Sequence, residues 1–283
     1  MRFVPLRQLL ERAATEGYAV PSFCVWNAES MEVALRVAAR LKAPVVLMNG
    51  EAEFGLLAPR DMGAVARALA GRFQVTAALH LDHGSSLAVA EECLAAGYTS
   101  VMLDYSARPF AENAEALRQV VALAHPRGAS VEGELGMIGR ADQDTVEGKG
   151  PTSLTDPEMA AALVEQTGID ALAVSIGNAH GLYTTLPQLD FARLAELKTA
   201  ARIPLVLHGG SGTPEADLRR AIALGIAKVN VASEYVAAVR QSLLEQWNAG
   251  KNLWTPIAQA VAMQAMAPII EKWFLMTGAA GRA

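Results

Sequence analysis

Cysteine is nearly missing from this chain of 283 residues, which holds Cys24 and Cys93 alone. Two thiols far apart exclude a disulfide framework and a cysteine-based zinc site. Cys93 lies in Ala90-Glu91-Glu92-Cys93-Leu94, a helical pattern in which core packing is the expected role. Clustered positive charge is missing too. Lys and Arg number 24 against 29 Asp and Glu, for a formal charge of −5. That balance argues against nucleic acid and against an anionic membrane surface as partners. The start of the chain reaches Arg7, Glu11 and Arg12 with no apolar stretch, so no signal peptide is expected. One uncharged run, from Asn252 to Ile270, is broken by Pro256, Gln259, Gln264 and Pro268 and suits helix packing better than lipid. The expected setting is soluble and cytoplasmic.

What the chain does have is hydrophobic content, at 52% with 19% charged residues. That describes one globular domain over residues 1–283, with a large core. A short helix over residues 6–14 comes first. Short apolar, β-branched runs then recur at residues 19–23, 44–48, 75–81, 100–103, 130–135, 171–176, 204–207 and 228–231. Between them lie Ala, Leu, Glu and Arg stretches of period 3.6. Asp156 and Thr213 stand before helical runs as N-caps, and Gly97, Gly168 and Gly225 follow them as C-terminal stops. Eight strand–helix alternations predict an α/β fold, a TIM (β/α)8 barrel. A doubly wound open sheet is the alternative, but it needs an early Gly-x-Gly-x-x-Gly, which is absent. From Val239 onward the tail reads as extra C-terminal helices, outside the barrel or against another subunit.

Such a barrel does its chemistry at the carboxyl ends of its strands. Of the five histidines, His83, His180 and His208 fall after the third, sixth and seventh predicted strands. His80 lies inside the third strand on the face of Asp82, in a packing or orienting role. His125 falls at a helix end, where exposure or capping suffices. Asp82, Asp104 and Glu134 share the level of the three. Three imidazoles with an open fourth position are the ligand set of a catalytic zinc. They also fit a rim of hydrogen-bonded structural histidines. His208-Gly209-Gly210-Ser211-Gly212 and Asn230-Val231-Ala232-Ser233 offer amides, hydroxyls and helix starts for a phosphate. The stretch 136–155, with four glycines, is a candidate lid.

His80-Leu81-Asp82-His83-Gly84, Ser130-Val131-Glu132-Gly133-Glu134-Leu135-Gly136, Ala179-His180-Gly181, Leu207-His208-Gly209-Gly210-Ser211-Gly212 and Lys228-Val229-Asn230-Val231-Ala232 occur in that order. The set resembles the class II, zinc-dependent fructose-bisphosphate and tagatose-bisphosphate aldolases. The resemblance implies cleavage of a ketose 1,6-bisphosphate to dihydroxyacetone phosphate and an aldehyde. It implies Zn2+ on His83, His180 and His208, with Glu134 and Asp104 near an alternative metal position, and a nearby Na+ or K+. Asp82 becomes the acid/base at the C4 hydroxyl. Gly181, Gly209, Ser211, Asn230 and Ser233 become the dihydroxyacetone-phosphate pocket, with Asn27 at the substrate. The lid differs: Gly139-Arg140-Ala141-Asp142-Gln143-Asp144 stands where relatives read Gly-Gly-x-Glu-Asp-Asp, so Asp142 takes the place of a catalytic glutamate. A homodimer or homotetramer is expected, with Arg282 near a substrate phosphate. Two further readings are an aldolase for a differently substituted ketose phosphate and a non-catalytic phosphosugar-binding barrel.

Overall fold

A strand buried on both faces has no polar side to show, and Val20–Cys24 is buried at every position. It opens a computed structural model that describes residues 3–142, 152–183, 185–251 and 254–283. Eight parallel strands close on themselves: β1 (Val20–Cys24), β2 (Val45–Asn49), β3 (Ala77–Gly84), β4 (Ser100–Leu103), β5 (Ser130–Leu135), β6 (Ala171–Val174), β7 (Leu205–Leu207) and β8 (Ile226–Val231). Each neighbours the next around the barrel, and β8 pairs with β1.

Helix α1 (Leu6–Glu16) precedes β1, and α2 (Ala28–Leu41), α3 (Pro59–Phe73), α4 (Leu87–Ala95) and α5 (Phe110–Ala124) follow the first four strands. The outer ring continues with α6 (Pro157–Thr167), α7 (Phe191–Ala201), α8 (Glu215–Ala223) and α9 (Ser233–Asn248). The tail adds α10 (Thr255–Gln264) and α11 (Met266–Met276), packed on α2 and α9. The eighth barrel helix therefore begins at Ser233, and only α10 and α11 are additions. Trp273 and Phe274 of α11 are fully buried, and Phe274 meets Phe23 edge-on at 5.3 Å.

Helix α1 buries Leu6, Leu9, Leu10 and Ala13 across the amino-terminal end of the barrel. Val4 N donates to Ala77 O at 2.9 Å, and Arg7 N to Ser130 Oγ at 2.9 Å. The chain terminus ends at this same end, where Gly281 N donates to Leu41 O and Ala283 N to Lys42 O. Arg282 pairs with Glu16 at 3.1 Å and lies over the Tyr18 ring. Within its own chain it therefore stands at the end opposite the strand termini.

Asp156 caps α6 as read, accepting from Met159 N at 2.9 Å. Thr213 does not cap. Its own amide closes a turn onto Gly210 O at 2.9 Å, which moves the helix entry to Pro214. Strand β6 stops at Val174, short of the predicted 176, because side chains take the next amides. Thr155 Oγ1 accepts from Ser175 N and Asn178 Oδ1 from Ile176 N.

Candidate metal centre

The register of β3 places two consecutive side chains at the mouth. Leu81 pairs with Val101, but the next pair is Gly84 with Leu103. Three residues of β3 thus span two of β4, a β-bulge at Asp82-His83 that breaks the alternation of faces. His83 has φ +47. Among the described residues the other non-glycine residues at positive φ, Lys42, Gln74 and Arg202, all end helices. A histidine held there at a strand end is the kind of strain found at functional sites. Asp82 is buried, and its Oδ1 accepts from Asn230 Nδ2 at 3.1 Å.

His83, His180 and His208 converge. His83 Nε2 lies 3.0 Å from His208 Nδ1, and His180 Nε2 lies 3.4 Å from the same atom. Tetrahedral zinc with Zn–N of about 2.0–2.1 Å needs nitrogens about 3.3–3.4 Å apart, so the three fit one ion. Each outer nitrogen that meets a carboxylate carries the proton. His83 Nδ1 donates to Asp104 Oδ2 at 3.1 Å, and His208 Nε2 to Glu132 Oε1 at 2.9 Å. Such bonds set the tautomer and aim the other nitrogen inward. Burial, reinforced by His83, lowers His180 and His208 well below the ordinary imidazole range, which keeps them neutral and ready to ligate.

Asp104 and Glu134 also lie within ligand reach of His83. Burial would raise Asp104, but His83 and Ser106 outweigh it and hold the carboxyl well below its usual value. Glu134 is pushed up to about 8, by burial first and then by Asp104. At neutral pH the two carboxyls therefore differ, Asp104 charged and Glu134 protonated.

Beneath the imidazoles lies a network that the sequence reading missed. Lys228 Nζ donates to Glu132 Oε2 at 2.9 Å and sits 3.5 Å from His80 Nε2, while His80 Nδ1 meets Ser100 Oγ at 2.8 Å. His80, Glu132 and Lys228 are fully buried. His80, Asp82 and Glu132 could also hold an ion, but the Lys228 ammonium already supplies the cation there. A signal was present: Glu132 precedes Glu134, and Lys228 precedes Asn230, by the two residues that share a strand face.

Gly181, Gly209, Ser211, Asn230 and Ser233 line one small cavity between β7 and β8, beside His180. Gly209 has φ +63, and a Cβ on it would fall 1.9 Å from Ala179 O, so the loops after β6 and β7 can touch only with glycine there. Asn178 Nδ2 donates to His208 O at 3.0 Å, and Tyr183 donates from its hydroxyl to Gly209 O at 3.0 Å. Asn27 lies apart. Its Oδ1 accepts from Ser30 N at 2.9 Å in a capping box that starts α2.

The base of the expected lid is ordered by pairing. Met137 bridges Ser153, and Gly139–Arg140 pairs with Ala179–His180. Asp142 Oδ2 accepts from Leu182 N at 2.5 Å, two residues past His180. Gln143, Asp144 and the rest of 143–151 lie outside the described residues.

A parallel barrel with a triad of imidazoles at its mouth that could hold a metal ion, beside a buried carboxylate and a glycine-lined cavity, is the class of protein that the fold and the site define. Comparison makes the class specific. The family of class II fructose-bisphosphate aldolases matches residues 4–282, and the chain belongs to that family. The YdjI aldolase from Escherichia coli K12 is 33% identical over 99% of both chains, with a TM-score of 0.87. A fructose-bisphosphate aldolase from Campylobacter jejuni shares the fold, at 21% identity over 100% of this chain and 97% of that one, with a TM-score of 0.82. Among the described residues no helix is long and apolar enough to cross a membrane.

Proposed function

We propose that the chain is a zinc-dependent aldolase that reversibly cleaves a phosphorylated ketose to dihydroxyacetone phosphate and an aldehyde. One observation carries the reading: His83 Nε2, His180 Nε2 and His208 Nδ1 face one another at 3.0 and 3.4 Å beside the buried carboxylate of Asp82. Bound zinc would supply Lewis-acid polarisation of the substrate ketone. The protein supplies the rest. The cavity amides, Ser211 and Ser233 hold the phosphate, next to the amino-terminal end of α9. Asn230 fixes the Asp82 carboxylate as an acceptor. Asp82 takes the proton of the C4 hydroxyl, the C3–C4 bond breaks, and the aldehyde leaves. The electron pair stays with the three-carbon fragment, whose C3 is then protonated. Asp142 is the candidate for that last proton, and its bond to Leu182 N sets it at the edge of the same site. The exposed Trp247, Trp254, Ile257 and Val261 support the expected homodimer or homotetramer.

The test is release of triose phosphate from fructose and tagatose phosphates by the zinc-loaded protein, with and without K+. Asp82→Asn should lose about 10²–10⁴-fold in kcat, the usual scale for a general base, while keeping its zinc. Chelator-insensitive turnover would defeat the zinc mechanism. No turnover of any ketose phosphate, with tight phosphosugar binding, would leave a binding barrel instead.

A further inference from the structure

The loop after β2 carries charge of the wrong sign for a second phosphate. Gly50 packs against the backbone of Asp82, so closely that a Cβ would lie 2.9 Å from Asp82 O. Glu53 Oε2 accepts from Gly50 N at 2.7 Å, and Glu51 Oε1 accepts from Ser85 N at 2.7 Å. Both carboxylates are thus fixed next to the segment that bears Asp82. Burial and then the Asp82 charge raise the Glu53 pKa, while the Gly50 amide favours the ionised form.

Topology decides what passes this loop. The triad hangs on β3, β7 and the loop after β6, whereas the Asp82–Asn230 bond runs from β3 to β8. Between β8 and β3 the barrel holds β1 and β2. Their loops therefore lie behind Asp82, on the side away from the imidazoles. A ketose with its ketone at the triad and its C4 hydroxyl at Asp82 continues toward these loops. Residues 25–27, 50–58 and 84–86, which follow β1, β2 and β3, contain no Lys or Arg; the next cation along the β2 loop is the exposed Arg60, in the first turn of α3 beside Asp61. Arg108 and Arg140 stand farther round, after β4 and β5.

We infer that Glu53, seconded by Glu51, makes the distal end of the site repel a second phosphate. The aldehyde fragment is then an uncharged, hydroxyl-bearing aldehyde, and the substrate is a ketose 1-phosphate rather than a 1,6-bisphosphate. This rests on the aldolase reading above and narrows it. The test runs in the condensation direction, with dihydroxyacetone phosphate and the zinc-loaded protein. Glyceraldehyde should exceed glyceraldehyde 3-phosphate in kcat/KM by about tenfold or more, a modest value for like charges brought together. Glu53→Gln keeps an acceptor for Gly50 N and should shift that ratio about tenfold toward the phosphorylated aldehyde. Preference for glyceraldehyde 3-phosphate in the unaltered protein, or a ratio unmoved by Glu53→Gln, would overturn the proposal. Deuterium exchange at the hydroxymethyl carbon of dihydroxyacetone phosphate separates the two levels. Exchange without condensation of glyceraldehyde keeps the aldolase reading and rejects this proposal. Absence of exchange rejects both.

Discussion

Both ends of the barrel hold histidines bonded to carboxylates, yet among the described residues only one end gathers imidazoles that could hold a metal ion. At the amino-terminal end, His125 Nε2 meets Asp170 Oδ2 at 2.9 Å. Asp170 also accepts from Val131 N at 2.8 Å and lies 3.5 Å from Arg7 Nη1. The carboxylate is saturated, and the His125 side chain is 39% exposed. At the mouth, His83–Asp104 and His208–Glu132 look the same pairwise. The difference lies in the second nitrogens, which at the mouth point at one another in a buried space. A histidine–carboxylate pair is common structural chemistry. Convergence of the nitrogens left over is what makes a ligand set.

The sharpest way to break that contrast is to remove one converging nitrogen. His208→Ala should drop bound zinc from stoichiometric to negligible, with at least about 10³-fold loss of turnover, since a Lewis acid contributes several kcal/mol. The fold should persist, as read by circular dichroism. Zinc retained at full stoichiometry would show that the imidazoles converge without ligating.

Next in size is the network below. Glu132→Gln keeps the shape but loses the charge that faces both His208 and Lys228. Zinc affinity, measured by competition with a chelator, should weaken about 10–100-fold, as for other residues that orient a ligand. Disturbing a buried pair should also cost stability, up to about 3–5 kcal/mol if Lys228 is left unmatched. Unchanged affinity would mean that Glu132 serves folding alone, as Asp170 does.

Glu134 gives the contrast a pH dependence. Its folded pKa of about 8 lies above the ordinary 4.5. Folding therefore favours the neutral carboxyl, and this contribution is full below about 4.5 and is lost as pH rises through about 8. Metal-free protein should melt at lower temperature toward the upper end of that window, and Glu134→Gln should flatten the slope. An unchanged slope in that variant would assign the effect to another group.

How much of this was legible depends on what each feature needs. The barrel was readable because each strand is a short apolar run and each helix has its own period. The triad was readable because three of five histidines fall at strand ends, where the architecture gathers them. Glu132 and Lys228 were not, because charges inside strands look like surface positions until the barrel closes around them. The bulge at Asp82-His83 was also hidden, since one extra residue in a ladder leaves no mark on composition. The position of Arg282 within its own chain was hidden because a chain terminus has no periodicity to place it. Only tertiary hydrogen bonds, to Leu41 and Lys42, put the terminus at the far end.

The smallest effect tests the other half of the comparison. Replacing His125 by Ala removes one partly exposed partner of Asp170, which keeps Val131 N and Arg7. Exposed ion pairs contribute about 0–1 kcal/mol, so the shift in denaturation midpoint should stay within that range. Zinc content and kcat should match the unaltered protein, because the pair sits where α1 closes the barrel and no other histidine of the described residues approaches it. Asp170→Ala is the instructive partner. It strands the Val131 amide in the core, and an unmatched buried donor costs about 1–3 kcal/mol. Stability should therefore fall further in Asp170→Ala than in His125→Ala, again with zinc unchanged. If either variant lost zinc, the two ends would be coupled through β5 and β6, and convergence at the mouth would no longer suffice to explain the metal centre.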